Sequence, residues 1–185
     1  MSTLQVENLI GPTSGSNANK VIIPSGQTLD ASNGFVAPAG HVIQTVHIEG
    51  GGSDVSFSNS GSWTDGLLVG NITPKFSTSK ILVVGQQPLR HQGTDAILRG
   101  AIRLQREVSG TATTVWNEHN GTEQFQVRGT PSEISFVIPF SVLDSPATTS
   151  SIEYRIQGYI LTGGGPMILW RGARGARFTL QEIAQ

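Results

Sequence analysis

Ile134-Ser135-Phe136-Val137-Ile138-Pro139-Phe140 and Ile152-Glu153-Tyr154-Arg155-Ile156-Gln157-Gly158-Tyr159-Ile160 alternate side-chain character almost residue by residue. The turn-rich stretch Leu143-Asp144-Ser145-Pro146-Ala147-Thr148-Thr149-Ser150 joins them. Successive strand residues point to opposite faces, so the spacing buries Ile152, Tyr154, Ile156 and Ile160 and wets Glu153, Arg155 and Gln157. The two runs read as antiparallel β structure.

Composition agrees. The 185 residues include 23 Gly and only 14% charged side chains. That balance suits many short strands with tight turns better than helices, which draw on more Ala, Leu, Glu and Lys. Length allows one core with a short appendage. The formal net charge is −1, and the arginines are scattered singly, so nucleic acid is not an expected partner. Arg171, Arg174 and Arg177 lie close together, in a pattern expected of a solvated strand face or a subunit salt-bridge row. Cysteine is absent, which removes disulfides, thiol catalysis and cysteine-ligated metals. Met1-Ser2-Thr3-Leu4-Gln5 lacks a secretory pattern and no apolar run approaches a membrane span, so a soluble product made in the cytoplasm is expected.

The chain divides by character into an arm, residues 1–39, and a head, residues 40–185. The arm holds the apolar stubs Leu4-Gln5-Val6, Val21-Ile22-Ile23 and Leu29, then Phe35-Val36, between spacers of turn chemistry. Each stub is too short to bury its own apolar face. The arm is therefore either a disordered tail or ordered by packing on sister copies or on a larger assembly; the apolar content of Val21-Ile22-Ile23 and Phe35-Val36 favours the second, with Val21, Ile22, Ile23, Leu29 and Phe35 as the contact residues.

In the head, Val42-Ile43-Gln44-Thr45-Val46-His47-Ile48 reads as a strand with Val42, Val46 and Ile48 inward. Leu67-Leu68-Val69 and Lys80-Ile81-Leu82-Val83-Val84 are continuously apolar, as in strands covered on both faces. Residues 94–106 fit a helix or a strand; Gly100 costs a helix about 1 kcal/mol relative to Ala, and the neighbours are strands, which favours strand. Roughly eight to ten strands with regular turn signals predict an all-β antiparallel sandwich of jelly-roll type.

Chemistry is sparse. His41 and His47 would stand about 20 Å apart along one strand and cannot share an ion. Glu118-His119 reads as an exposed hairpin loop. Nucleophile-elbow, phosphate-loop, His-Glu-x-x-His and EF-hand patterns are missing, while Asp54, Asp65, Glu118 and Glu123 form a carboxylate set of a kind that any domain offers. No catalytic residue, metal or cofactor is predicted. Trp63 and Trp116 sit in polar settings where an indole can stack on a sugar, although tucking over a sheet edge is the more common fate.

Several segments together resemble the small tail-fibre-like virion proteins of marine tailed phages, cyanophages among them. These are Met1 to Leu9, Val21 to Asp30, Gly70-Asn71-Ile72-Thr73-Pro74 with Ser79 to Val83, Leu143-Asp144-Ser145-Pro146 and Leu180-Gln181-Glu182-Ile183-Ala184. The resemblance implies a homotrimer with an N-terminal shaft or anchor and a C-terminal β-sandwich head on the virion surface, contacting other virion proteins or a host-surface glycan. It leaves open a tail fibre that attaches to the host and, as the alternative, a capsid decoration or cement protein. A polysaccharide depolymerase is the third reading.

Overall fold

The computed structural model describes residues 10–18, 20–27, 38–50, 53–57, 61–92, 97–117, 124–128, 133–163, 166–169 and 175–185. The chain divides into two compact units, residues 1–36 and 37–185. In the first, the described residues form turns closed by backbone bonds such as Ala18 N–H to Gly15 O and Gln27 N–H to Pro24 O, both 3.1 Å. Val21, Ile22 and Ile23 are 43–55% exposed. Leu29 and Phe35 lie outside the described residues.

The second unit carries β1 (Val42–Glu49), β2 (Val55–Phe57), β3 (Thr64–Ile72), β4 (Lys80–His91), β5 (Ile97–Val108), β6 (Thr111–Asn117), β7 (Phe125–Arg128), β8 (Ile134–Asp144), β9 (Ile152–Thr162), β10 (Met167–Leu169) and β11 (Arg177–Ile183). One sheet runs β1-β11-β4-β10-β2, with β8 also on β4; the other runs β3-β9-β5-β6, with β7 also on β5. Because β4 is 12 residues long, β11 lies along its first half and β10 along its second, leaving the opposite edge to β8. Reduced to their long strands, the layers are β1-β11-β4-β8 and β3-β9-β5-β6, and the chain changes sheet at β2–β3, β3–β4, β4–β5, β7–β8, β8–β9 and β9–β10. This order is an antiparallel β-sandwich of jelly-roll type.

Period-two patterning sets which residues enter the core. Ile152, Tyr154, Ile156 and Ile160 of β9 face Leu98, Ile102 and Leu104 of β5 along the same inner surface, and Ile81, Val83 and Leu89 of β4 meet them from the facing sheet with Phe178 and Leu180 of β11. The segment read as helix or strand is β5, and its inward set is the one the strand template gives. Val108-Ser109-Gly110-Thr111 closes the β5–β6 hairpin with positive φ at both central residues, 49° and 80°, which matches the twist of the flanking strands.

Five expectations need correction. Leu67 and Val84 are exposed, because each layer of a two-layer sandwich has only one covered face. Val42 points outward: the register slips between Val42 and Gln44, and that bulge sets Val42 opposite the outward Ile183. The same bulge ends the uninterrupted strand on which the His41–His47 spacing was reckoned. Leu143 and Asp144 are the last residues of β8 rather than part of the connection, and Gln157 is buried rather than wet.

Inward glycines make room for core aromatics. A β carbon at Gly85 would meet the Phe178 side chain and stand 2.6 Å from the Arg177 carbonyl oxygen and 2.8 Å from the Phe140 ring. The backbone oxygen cannot move aside without breaking the β4–β11 ladder. Gly85→Ala is expected to cost about 1–3 kcal/mol in urea denaturation, with the slope of the transition unchanged.

Candidate functional site

On the outward face of the five-stranded sheet, strand pairing brings together side chains that are far apart in sequence. Arg103 of β5 pairs with Gln157 of β9, and Gln157 pairs with Asp65 of β3. Arg103 Nε donates to Gln157 Oε1 at 2.5 Å, and Gln157 Nε2 donates to Asp65 Oδ1. The Arg103 guanidinium lies 4.3 Å from the centroid of the Trp63 ring, whose flank meets Tyr159 at 5.2 Å. Burial lowers the Arg103 pKa, and the Asp65 charge works against that shift. Beside this group Arg155 reaches Asp65 at 3.0 Å, Glu107 at 3.1 Å and also Glu153. Burial works against its charge, but the bonds to Glu153 and Asp65 outweigh it and raise the pKa.

The result is a sheet face of interlocked charges with one indole tilted against a tyrosine and capped by a cation. Chemically it offers hydrogen-bond donors, acceptors and an aromatic surface, the groups that recognise a hydroxyl-rich ligand. Trp116 goes elsewhere: it opposes the inward Leu104, stacks on Phe140 at 5.9 Å, and so packs against the core at the sandwich flank. The remaining sequence candidates are dispersed. Asp54 is exposed, Glu118, His119, Glu123, Arg171 and Arg174 lie outside the described residues, and Arg177 is exposed on the opposite sheet. Among the described residues no group of three or more His, Asp or Glu side chains is placed to hold a metal ion.

Two buried carboxylates among the described residues each accept four hydrogen bonds. Glu182 of β11 is fully buried; its Oε1 accepts from the Lys75 and Phe76 backbone N–H groups at 2.7 and 3.3 Å and from Ser79 Oγ at 2.7 Å. Its Oε2 accepts from Gln44 Nε2 at 2.6 Å, and the same amide donates to the Thr73 carbonyl at 2.7 Å. Consecutive N–H groups form a small anion nest, and the anion is supplied by the chain itself. Asp144 accepts from Arg106 Nη1 at 2.8 and 2.9 Å, from the Tyr154 hydroxyl at 2.7 Å and from Ser145 N–H at 2.8 Å, tying β8 to β5 and β9 across the core. Burial, then the bond to Asp144, pushes the Tyr154 phenol well above its ordinary range. Glu182 and Asp144 escaped the sequence reading although parity marked them: Phe178-x-Leu180-x-Glu182 and Phe140-x-Val142-x-Asp144 each end an inward row on a carboxylate.

No family model and no curated protein matches the sequence. Solved structures do match in fold. A chain in the structure of infectious bursal disease virus Gx strain is 15% identical with a TM-score of 0.46, over 88% of this chain and 38% of that one. A VP2 subviral particle of infectious bursal disease virus gives 17% and 0.43, over 94% and 41%. Eiger TNF from S. frugiperda gives 9% and 0.39, over 78% and 95%. This chain spans about two fifths of the length of the virus chains it matches. At these identities the likeness concerns the fold alone.

Glu182→Gln keeps the shape but turns one end into an N–H₂ group that faces donors on either side. Thermal unfolding is expected to show a loss of about 2–3 kcal/mol, the scale of a broken charged hydrogen-bond set. Tyr154 generates an alkaline prediction. Its folded pKa is raised above the unfolded value of ~10, so the contribution is complete below pH ~10 and is lost as pH rises further. Stability above pH ~10 should fall by up to about 1.4 kcal/mol per unit from this residue, and Tyr154→Phe should remove that part of the slope.

Proposed function

We propose that the chain is a non-enzymatic structural protein of a virus particle, a homotrimer of the phage tail-fibre kind whose head meets the host surface and whose arm joins sister copies. The observation that carries this reading is the run Val21-Ile22-Ile23, half exposed within its own unit, where apolar side chains of this size gain cover only by association. Support also comes from the head, where segments that resemble tail-fibre-like proteins become structural clamps. Residues 73–79 are gripped by Glu182, and Asp144 holds Arg106 and Tyr154. A carbohydrate of the host surface fits the donors and rings around Trp63.

Immunogold labelling of purified particles with antibody to the head is expected to mark the tail tip. Label spread over the capsid would move the protein to the decoration role, and unlabelled particles would overturn the proposal. Ile22→Asp places a charge in an apolar seam, so sedimentation should show the trimer dissociating while the head's circular dichroism is unchanged.

A further inference from the structure

The two outward faces of the head are built on different principles. The five-stranded sheet presents Asp65, Arg103, Glu107, Glu153 and Arg155, bonded to one another or to Gln157. On the six-stranded sheet, β4 and β8 present Leu82, Val84, Val137, Pro139 and Leu143, with Leu82 directly opposite Leu143. The outward positions between them hold Gln86, Ser135 and Ser141 with the buried Pro88, and no charge points outward from either strand between Lys80 and Arg90. Val84, Val137 and Leu143 are 44%, 50% and 56% exposed. Moreover, β8 pairs with β4 alone among the described strands and keeps a free edge 11 residues long, which Pro139 alone among its residues interrupts. Free edges of that length are ordinarily guarded by outward charges.

We propose that this β4–β8 face is where the head packs against the head of a second copy of the same chain. The proposal rests on the self-association put forward above and names a second seam for it. Charge pattern selects the occupant: an uncharged centre asks for an uncharged partner, and the same face on a sister chain is one. Its rim carries both signs, with Arg90 against Glu133 at 3.5 Å on one side and Arg177 across from Glu49 on the other. An apolar centre inside a polar rim is the anatomy of a protein interface. Size agrees as well: the β4–β8 centre together with its rim strands β11 and β1, four strands at about 4.8 Å spacing and roughly 30 Å length, gives a face of about 600 Å², near the ~800 Å² that each partner of a stable complex buries.

Leu143 and Leu67 are almost equally exposed, at 56% and 49%, but on opposite sheets, which makes a matched pair of probes. In sedimentation of the full chain across a concentration series, Leu143→Glu and Val137→Glu are each expected to weaken self-association at least tenfold. Leu67→Glu should leave it within twofold of the parent. Folded Leu143→Glu and Val137→Glu proteins that assemble like the parent would overturn the proposal, as would Leu67→Glu dissociating equally. Loss of assembly in Ile22→Asp alone leaves the arm seam standing and removes this one; a monomeric parent removes both. Should the glutamate variants not fold, hydrogen exchange of the parent over residues 133–144 decides: protection that rises with protein concentration supports the interface, and protection independent of concentration refutes it.

Discussion

A carboxylate with no access to water organises one end of the head. Glu182 sits in an inward row that crosses the six-stranded sheet as Gln44, Glu182, Ile81 and Asp144, one residue from each of β1, β11, β4 and β8. A carboxylate is tolerated in such a place only when it is well hydrogen-bonded, and here two backbone amides, a hydroxyl and a side-chain amide engage it. The consequence reaches beyond the charge. The β3–β4 connection is fastened to the last strand of the chain, so the order in which β1, β11 and β4 lie together is locked where the sheet would otherwise fray.

Asp144 repeats the device on the other side of Ile81, but between sheets instead of within one. Arg106 and Tyr154 come from the five-stranded sheet, so their bonds to Asp144 fix the spacing and stagger of the layers. Hydrophobic burial supplies most of the stabilisation and is non-directional, whereas these bonds hold at one spacing and stagger only. The opposite device operates in the middle of the sandwich, where Gly85 lets Phe140 and Phe178 close over β4. Polar clamps at the end and aromatic rings over glycine in the middle together define one packing of two otherwise generic sheets.

Function follows from what those sheets leave outside. One outward face satisfies its charges internally through Arg155, Arg103 and Gln157 and holds Trp63 in a fixed orientation, so it can remain in water or meet a polar ligand. The other has apolar side chains at its centre and no internal partners for them. A protein with one self-sufficient face and one unsatisfied face suits an assembly whose members turn the first outward and the second toward each other.

Alternation determined the all-β class and the inward rows of β8 and β9, because side-chain period in a strand is a local property of the backbone; for residues 97–108, where both periods fit, Gly100 and the neighbouring strands decided for strand. Tertiary structure decided the rest. That Leu67 and Val84 lie outside depends on the number of layers, that Val42 points outward depends on a bulge defined by its partner strand, and that Gln157 is buried depends on Arg103 and Asp65 arriving from β5 and β3. The same holds for Trp63 and Trp116, which look alike in sequence but end on opposite faces of one sheet. Parity tells which residues share a face of one strand; which strands lie side by side is a nonlocal outcome of packing.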